Sequence, residues 1–340
     1  MTRVSDVSVP GVSGTTGPPV PAGCRAGRVA RVDRGLLTVL TADGEQRVHA
    51  GSLLRGGSAP AVGDWVAVRG ELAVALLPRR TAFVRTAAGR GSAPQVVAAN
   101  VDLVLVVDSL AAPARLRRIE RYLAVAWGSG APPAVVLTKA DLCPDVPAAV
   151  AQVAEDAIGV VVLPVSAVTG AGIEAVRGLL APGCTAAMVG PSGVGKSSLA
   201  NALAGRPVAA TAGIRGDGRG RHTTTARQLH QLPGGALLVD TPGMRELALA
   251  GEDGLDDAFA DVVALATGCR FRDCAHRTEP GCAVAAAIED GELDPGRLLG
   301  WRKLQAEAHR QALRSDARAR ATETARLRAL HRQHRARPGR

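Results

Sequence analysis

The segment GPSGVGKSS at 190–198 places glycines, a lysine and hydroxyl side chains at a spacing suited to a nucleotide phosphate chain. It follows an apolar run and precedes SLANALAG, so it is predicted to be a loop between a strand and a helix. Backbone N–H groups of such a loop surround the phosphates, and the helix N-terminus adds a positive dipole. Lys196 is expected to contact the β- and γ-phosphates, and the Ser197 hydroxyl to ligate Mg²⁺. The residues predicted to bind nucleotide here are Gly190, Pro191, Ser192, Gly193, Val194, Gly195, Lys196, Ser197 and Ser198.

A second motif for the phosphate end, DTPG at 240–243, closes the apolar run ALLVD. Asp240 is expected to reach Mg²⁺ through water, and the Gly243 N–H to contact the γ-phosphate. DxxG carries little information alone. Its position one strand after the phosphate loop makes it informative.

Selection of the base is predicted from TKAD at 138–141 and a Ser-Ala pair. Asp141 can accept from N1–H and the 2-amino group of guanine, whereas adenine would leave the carboxylate unpaired, which is costly in a buried site. The Lys139 stem would pack over the base. The motif usually begins with Asn, so the hydrogen bond that tethers Thr138 to the phosphate loop is expected to be weaker. The residues predicted to contact the base are Thr138, Lys139, Ala140, Asp141, Ser166 and Ala167.

The order of these motifs is unusual. Ordinary GTPases run from the phosphate loop through a switch threonine and DxxG to the base-reading motifs. Here the base-reading motifs come first, which indicates a circularly permuted GTPase. A permutation of this kind places whatever follows DTPG directly after the switch segments.

Three of the six cysteines and one histidine lie close together in the sequence: Cys269, Cys274, His276 and Cys282. Three thiolates and one imidazole suit a closed tetrahedral zinc site with a structural role. Iron–sulfur ligation is a weaker alternative, because a histidine replaces a cysteine and ferredoxin spacing is absent. The remaining alternative is three reduced cysteines with no metal.

The bulk properties fit a cytoplasmic protein without a membrane span, because no run of about 18 apolar residues occurs. The net charge is +10, and residues 302–340 have a net charge of +9. A basic arm of this kind commonly engages nucleic acid, although a solvated helix in an arginine-rich composition is the alternative. We expect a monomer.

The chain divides into five predicted regions: a disordered tail (1–24), an OB-type barrel (25–86), a permuted P-loop GTPase α/β domain (87–250), a mostly helical zinc-binding domain (251–305) and a basic helical arm (306–340). Short β-rich runs and the Asp43-Gly44 hairpin signal indicate the barrel. Composition also permits an SH3-like barrel. In the α/β domain, each chemical motif follows the carboxyl end of an apolar run, where open α/β sheets bind ligands.

With its permuted order, GRHTTT at 220–225, its GPSGVGKSSL loop and CRFRDCAHRTEPGC at 269–282, the chain resembles the ribosome small-subunit-dependent GTPases (RsgA, also called YjeQ) over about residues 25–300. The resemblance implies an OB domain, a permuted GTPase domain and a zinc domain. It also implies binding to the 30S subunit and its 16S rRNA late in maturation, with GTP hydrolysis in response.

Catalysis is expected to depend on Lys196, His222 and Thr224. Met244 stands where many GTPases have a glutamine that orients water, so intrinsic hydrolysis should be slow. The resemblance gives that task to His222, and a structural role for this loop histidine is the alternative. Thr224 is the preferred Mg²⁺ ligand, with Thr223 as the close alternative. Magnesium is therefore expected at Ser197, Thr224 and Asp240.

Two other functions stay open at this point. The protein could be a permuted GTPase of another RNA system, or an RNA-binding scaffold with GTP as a static ligand. Stimulation of GTP turnover by 30S subunits would separate these functions from a checkpoint in 30S assembly.

Overall fold

A computed structural model describes residues 18–54, 59–85, 95–209, 228–240 and 254–315. The predicted switch residues His222 and Thr224, together with Gly243, lie outside these ranges, as do 1–17 and 316–340. Within the described ranges, no helix combines the length and apolarity needed to cross a bilayer.

The N-terminal unit is a closed barrel of five strands in the order β1-β2-β3-β5-β4. Its strands are β1 (Arg25–Val32), β2 (Leu36–Thr41), β3 (Gly44–His49), β4 (Trp65–Arg69) and β5 (Leu72–Leu76). The strand order, in which β3 pairs in parallel with β5 and β4 pairs with β1, confirms the prediction of an OB-type barrel. A short 3₁₀ turn at Gly51–Leu54 follows β3.

The hairpin between β2 and β3 lies where the Asp43-Gly44 signal predicts it, since Thr41 pairs with Gly44 across a two-residue turn. The β-rich run that precedes this hairpin forms two strands, β1 and β2, and the sequence pattern did not predict that division. The division lies at Gly35, whose φ of 77° is readily available only to glycine.

A six-stranded sheet of order β10-β9-β8-β11-β13-β12 follows, parallel except for the antiparallel pair β12–β13. The hairpin of β6 (Ala82–Arg85) and β7 (Gln95–Ala99) connects the barrel to it. The sheet strands are β8 (Leu103–Ser109), β9 (Pro133–Thr138), β10 (Val162–Pro164), β11 (Thr185–Val189), β12 (Gln228–Gln231) and β13 (Leu237–Asp240). The predicted boundary at 86/87 lies in 86–94, outside the described residues.

The central strands are buried on both faces, as the continuous apolar runs predict. Along β11, Ala187 and Val189 join one core cluster, whereas Ala186 and Met188 join the other. This alternation is the two-residue period of a strand. The sheet therefore separates two layers of helices.

Eight α-helices lie in the described residues. They are α1 (Leu116–Gly128), α2 (Val146–Asp156), α3 (Ile173–Gly178), α4 (Lys196–Ala204), α5 (Leu255–Ala258), α6 (Ala260–Ala266), α7 (Ala283–Glu289) and α8 (Pro295–Ser315). Helices α3 and α4 bury apolar side chains on one face of the sheet, and α1 and α2 on the other. The C-terminal unit is helical, as predicted, and its buried side chains Phe259, Val284 and Leu298 belong to the same core cluster as those of α1.

A buried arginine joins the barrel to the amino ends of two sheet strands. Arg28 of β1 donates to the Asn100 carbonyl at 2.8 Å and to the Thr185 hydroxyl at 2.9 Å. Its guanidinium lies 4.9 Å from the centre of the Trp65 ring. Burial lowers the pKa of Arg28 to about 10, so the side chain stays charged at neutral pH. Thr185 begins β11, which leads to the phosphate loop.

Candidate functional site

The predicted phosphate loop lies between β11 and α4, as its sequence context requires. Strand β11 ends at Val189, the loop begins at Gly190, and Gly195 caps α4 with a φ of 96°. Leu199, Ala200 and Leu203 of α4 are buried beneath the sheet. The helix N-terminus is therefore held at the carboxyl end of β11, where it can bind an anion.

Gly190 is required by geometry. Its φ is 145°, and a Cβ placed on it would lie 2.2 Å from the Val107 carbonyl oxygen of β8. Any side chain would thus displace either the loop or the central strand. The loop passes this close to the sheet because glycine stands at this position.

The Lys196 ammonium lies against the first residues of the loop. Its Nζ donates to the Gly190 carbonyl at 2.8 Å and to the Pro191 carbonyl at 2.6 Å. Ser197 is half-buried beside it, and Ser198 is exposed. A lysine held at this place carries the positive charge needed at the phosphate chain.

Thr138 connects the TKAD motif to the phosphate loop. Its hydroxyl is buried and lies within hydrogen-bonding distance of two backbone carbonyl oxygens, those of Val194 and Asp108. A hydroxyl has one proton, so it donates to one of them at a time. The structure therefore contains the tether that the replacement of Asn put in doubt. Its strength relative to an Asn tether stays untested.

Lys139 adds a second connection, because its Nζ donates to the Gly193 carbonyl at 2.9 Å. Its backbone is left-handed, with a φ of 57°. The next residue, Ala140, donates its N–H to the Val165 carbonyl and so joins the motif to the following loop. Asp141 is exposed, and within the described part of the chain its carboxylate has no hydrogen-bond partner. This carboxylate is available to a base.

The Ser166–Ala167 pair lies in a closed turn after β10. The buried Ser166 hydroxyl accepts N–H groups of Val168 and Thr169 at 3.3 and 3.2 Å. Its own N–H donates to the Ala171 carbonyl. These bonds fix the turn beside TKAD, at the carboxyl ends of adjacent strands β9 and β10.

The sheet thus gathers four motifs that are scattered along the chain. TKAD, the Ser-Ala turn, the phosphate loop and Asp240 follow β9, β10, β11 and β13 at one edge. Asp240 ends β13, directly beside β11. The switch side chains predicted to complete the site fall outside the described residues.

The cysteine–histidine cluster assembles as predicted. The ligand atoms of Cys269, Cys274, His276 and Cys282 all lie within 4.8 Å of one another. Nδ1 of His276 is 3.5 Å from Sγ of both Cys269 and Cys282, and these two sulfurs are 3.9 Å apart. Tetrahedral zinc, at about 2.3 Å from sulfur and about 2.0 Å from nitrogen, separates its ligand atoms by about 3.5 to 3.8 Å. The donor set therefore fits a metal of this kind.

The surroundings of the cluster favour ligation. Burial lowers the pKa of His276, and the nearby Arg302 acts in the same direction. The neutral imidazole that results is the form that binds a metal. The Ala285 N–H donates to Sγ of Cys282 at 3.4 Å, and the Trp301 ring packs 5.6 Å from that of His276. Arg302 of α8 also donates to the His276 carbonyl.

Comparison with known proteins agrees with this geometry. The family described as RsgA GTPase matches residues 76–250. The small ribosomal subunit biogenesis GTPase RsgA of Streptomyces coelicolor is 50% identical over 312 residues, which cover 88% of this chain and 84% of that protein. The protein of the same name from Opitutus terrae is 50% identical over 275 residues, covering 76% of this chain and 75% of that protein. The chain belongs to the RsgA GTPase family.

Solved structures show the same fold. YjeQ from Thermotoga maritima is similar with a TM-score of 0.64 and 28% identity, covering 84% of this chain and 98% of that one. YloQ, described as a circularly permuted GTPase, is similar with a TM-score of 0.62 and 24% identity, covering 85% and 96%. The permuted architecture predicted from motif order is thereby confirmed.

This RsgA-family chain has a buried ion pair beside the base motif that the sequence did not predict. Asp108 is 2% exposed, and its two carboxylate oxygens accept from Nη2 of Arg118 at 2.7 and 3.0 Å. Its backbone carbonyl is one of the two acceptors near Thr138. A carboxylate at the end of the apolar run VDLVLVVD was the available signal, since a buried charge requires a partner.

Replacing Thr138 by valine is expected to weaken GTP binding by about tenfold, because the Val194 carbonyl loses its donor and the tether disappears. Titration with a fluorescent GTP analogue measures the effect. Thr138→Ser is the matched control, since it keeps the hydroxyl. Equal affinities for the two variants would show that the hydrogen bond does not support the nucleotide site.

Replacing Cys282 by serine is expected to lower metal affinity by more than about 100-fold. A change in an outer-shell partner alone costs roughly 10- to 100-fold, and here a ligand itself is lost. Elemental analysis of the purified protein would find one zinc in the unmodified chain and almost none in the variant. Cys143→Ser, at a half-buried cysteine outside the cluster, is the control. Full zinc content in Cys282→Ser would contradict the assignment.

Proposed function

We propose that this protein is a GTP hydrolase that binds the 30S ribosomal subunit, acts as a checkpoint late in its maturation and leaves after hydrolysis. The observation that carries the nucleotide assignment is the contact between the base and phosphate motifs. Thr138 and Lys139 both bond to the phosphate-loop backbone. The partner is inferred from relatives that are named small ribosomal subunit biogenesis GTPase.

The chain's own residues divide the work of the site. The phosphate loop and Lys196 bind the phosphates, Asp141 selects guanine, and Ser197 with Asp240 and Thr224 would hold Mg²⁺. Magnesium neutralises charge that develops on the phosphates during transfer. We assign the positioning of the attacking water to His222, because Met244 cannot do so.

A single zinc ion is proposed at Cys269, Cys274, His276 and Cys282. Its role is structural, since four protein ligands complete the tetrahedron and leave no open position. When bound, it cross-links a segment that is too short to form a core of its own. Thiolate ligands also fit the reducing conditions of the cytoplasm, where we place the protein.

The proposal is tested by steady-state GTP turnover with and without purified 30S subunits at low salt. We expect slow basal turnover and strong stimulation by 30S, with none by 50S subunits. In the same assay, His222→Ala should lose the stimulated turnover and keep its GTP affinity.

Turnover that 30S subunits do not stimulate would favour an RNA-binding scaffold with GTP as a static ligand. Stimulation by another RNA alone would favour a different RNA system. We expect 16S rRNA as the RNA contacted and a monomer as the active state.

A further inference from the structure

The aromatic residues of the chain are few, and their exposure differs sharply. The sequence has seven, and all seven lie in the described ranges. Six are buried or half-buried: Trp65, Phe83, Tyr122, Trp127, Phe259 and Trp301. Phe271 is 42% exposed. Leaving a phenyl ring in water forgoes part of the stabilisation that its burial would provide.

Three of the buried or half-buried rings have an evident structural role. Trp65 packs beneath the guanidinium of Arg28, and Phe259 lies 4.6 Å from that of Arg297. Trp301 packs against the ligand His276. Phe271 is not buried in this way. It lies two residues after Cys269, in the segment 269–282 that holds the four predicted zinc ligands and is called the metal-binding loop below.

Three exposed arginines lie in the same loop as Phe271: Arg270, Arg272 and Arg277. The guanidinium of Arg270 lies 5.6 Å from the centre of the Phe271 ring. Gly281 packs against the Arg270 stem, since a Cβ there would lie 3.1 Å from Cβ of Arg270. The Arg270 N–H also bonds to the Gly281 carbonyl at 3.0 Å. The metal-binding loop therefore fixes the position of this arginine beside the ring.

Two acidic residues, Asp273 and Glu279, lie in the same loop, and the Glu279 carboxylate is already hydrogen-bonded to the backbone. The Glu279 carboxylate accepts backbone N–H groups from Ala275, Arg277 and Thr278 at 3.1, 2.6 and 3.0 Å. The N–H of Glu279 itself, together with these bonds, lowers the pKa of this carboxyl group to about 2. Glu279 thus holds the loop, and Asp273 is left as the exposed acid among three exposed arginines.

An exposed ring beside the Arg270 guanidinium, in a loop with further exposed arginines, is suited to an unpaired nucleobase and its phosphates. The base stacks on the ring, and the arginines bind the adjoining phosphates. A duplex hides its base faces, whereas loops and bulges of RNA present them. We propose that Phe271, with Arg270 and Arg272, binds a single-stranded, unstacked base of the ribosomal RNA. This inference rests on the proposed function and names the contact made by the metal-binding loop.

The test compares two oligoribonucleotides of about eight nucleotides, one of adenosine and one of abasic residues with the same phosphates. Binding to the full chain is measured by fluorescence anisotropy at low salt. Stacking contributes about 1–3 kcal/mol per base, or about 5- to 150-fold. We expect the unmodified protein to prefer the adenosine oligomer by at least about fivefold. The phosphate contribution of the basic arm cancels in this ratio.

Phe271→Ala should lose this preference and bind 30S subunits more weakly, whereas Phe271→Trp should keep both properties. Leu299→Ala, at an apolar residue 63% exposed on α8, is the control for loss of exposed apolar area. Zinc content near one per chain in each variant verifies the folded loop.

An unchanged preference in Phe271→Ala would overturn the proposal. If its 30S affinity nevertheless falls, the ring contacts a ribosomal protein instead of a base. A lost preference with unchanged 30S binding would also overturn it, because the base would then not belong to the subunit. Each of these results leaves 30S-stimulated turnover by the unmodified protein intact, so failure of the proposed function is recognised separately.

Discussion

Replacing Arg297 by methionine is expected to lower the free energy of unfolding by about 3 to 5 kcal/mol. Arg297 of α8 is 2% exposed and donates to the Asp261 carboxylate at 2.7 and 2.9 Å and to Glu120 of α1 at 3.0 Å. Removal of the guanidinium leaves Glu120, itself 1% exposed, deprived of this partner. Urea denaturation followed by the fluorescence of Trp127 and Trp301 measures the loss.

The loss should depend on pH. Burial already raises the pKa of Glu120, and removal of Arg297 raises it further. A carboxyl group whose pKa is higher in the folded state than in the unfolded state destabilises the fold as the pH rises through that pKa. The deficit of Arg297→Met should therefore shrink as the pH is lowered through the raised pKa of Glu120.

Two further variants make this prediction specific. Arg310→Met, the same change at an exposed position of α8, should shift stability by less than about 0.5 kcal/mol. Glu120→Gln added to Arg297→Met should restore part of the loss, because it removes a buried charge that would otherwise keep only Arg117 as its cationic partner. Equal effects at Arg297 and Arg310 would show that the buried network contributes nothing to stability.

Replacing Gly190 by alanine is expected to weaken GTP binding by roughly 100-fold or more. The new Cβ would lie 2.2 Å from the Val107 carbonyl oxygen, at a φ of 145° that L-residues avoid. Backbone strain of about 1–3 kcal/mol and a similar cost for overpacking would together move the loop away from its phosphate-binding conformation. Isothermal titration with GTP measures the affinity.

Gly205→Ala is the control that separates backbone strain from steric overlap with a neighbouring strand. Gly205 ends α4 with a φ of 64°, and a Cβ there would meet no atom within 4 Å. This variant should lose about 1 kcal/mol of stability and keep its GTP affinity. A Gly190→Ala protein that binds GTP normally would show that the loop tolerates a shift from β8.

The sequence was sufficient to predict the elements that end in a motif. Runs of Val, Leu and Ala identified β9, β11 and β13, because strands buried on both faces must be continuously apolar. The spacing of Cys269, Cys274, His276 and Cys282 predicted a cluster, and their ligand atoms do lie together. In both cases the residues that carry the sequence pattern and the residues of the predicted site lie in one short segment of the chain.

Contacts between distant segments could not be predicted in the same way. Arg28 and Thr185 are 157 residues apart, and Glu120 and Arg297 are 177 apart. Nothing in the local pattern marks Arg28 as buried, since arginine is mostly found at protein surfaces. The continuous core beneath α1 and the C-terminal helices likewise arises from tertiary packing. The roles of His222 and Thr224 stay predictions.

The contact made by Arg28 limits how the protein can be taken apart. A GTPase domain expressed without the barrel would lose the guanidinium that bonds to Asn100 and Thr185. Arg80, which follows the barrel, forms a salt bridge with Asp102, and Asp102 accepts the Thr185 N–H, so a domain that begins after residue 80 would lose this contact as well. Buried polar groups at the amino ends of β8 and β11 would then face water with new neighbours. The barrel therefore supports the strand that leads to the phosphate loop. Chimeras that exchange barrels between relatives must also keep a matching partner for Arg28 at Asn100 and Thr185.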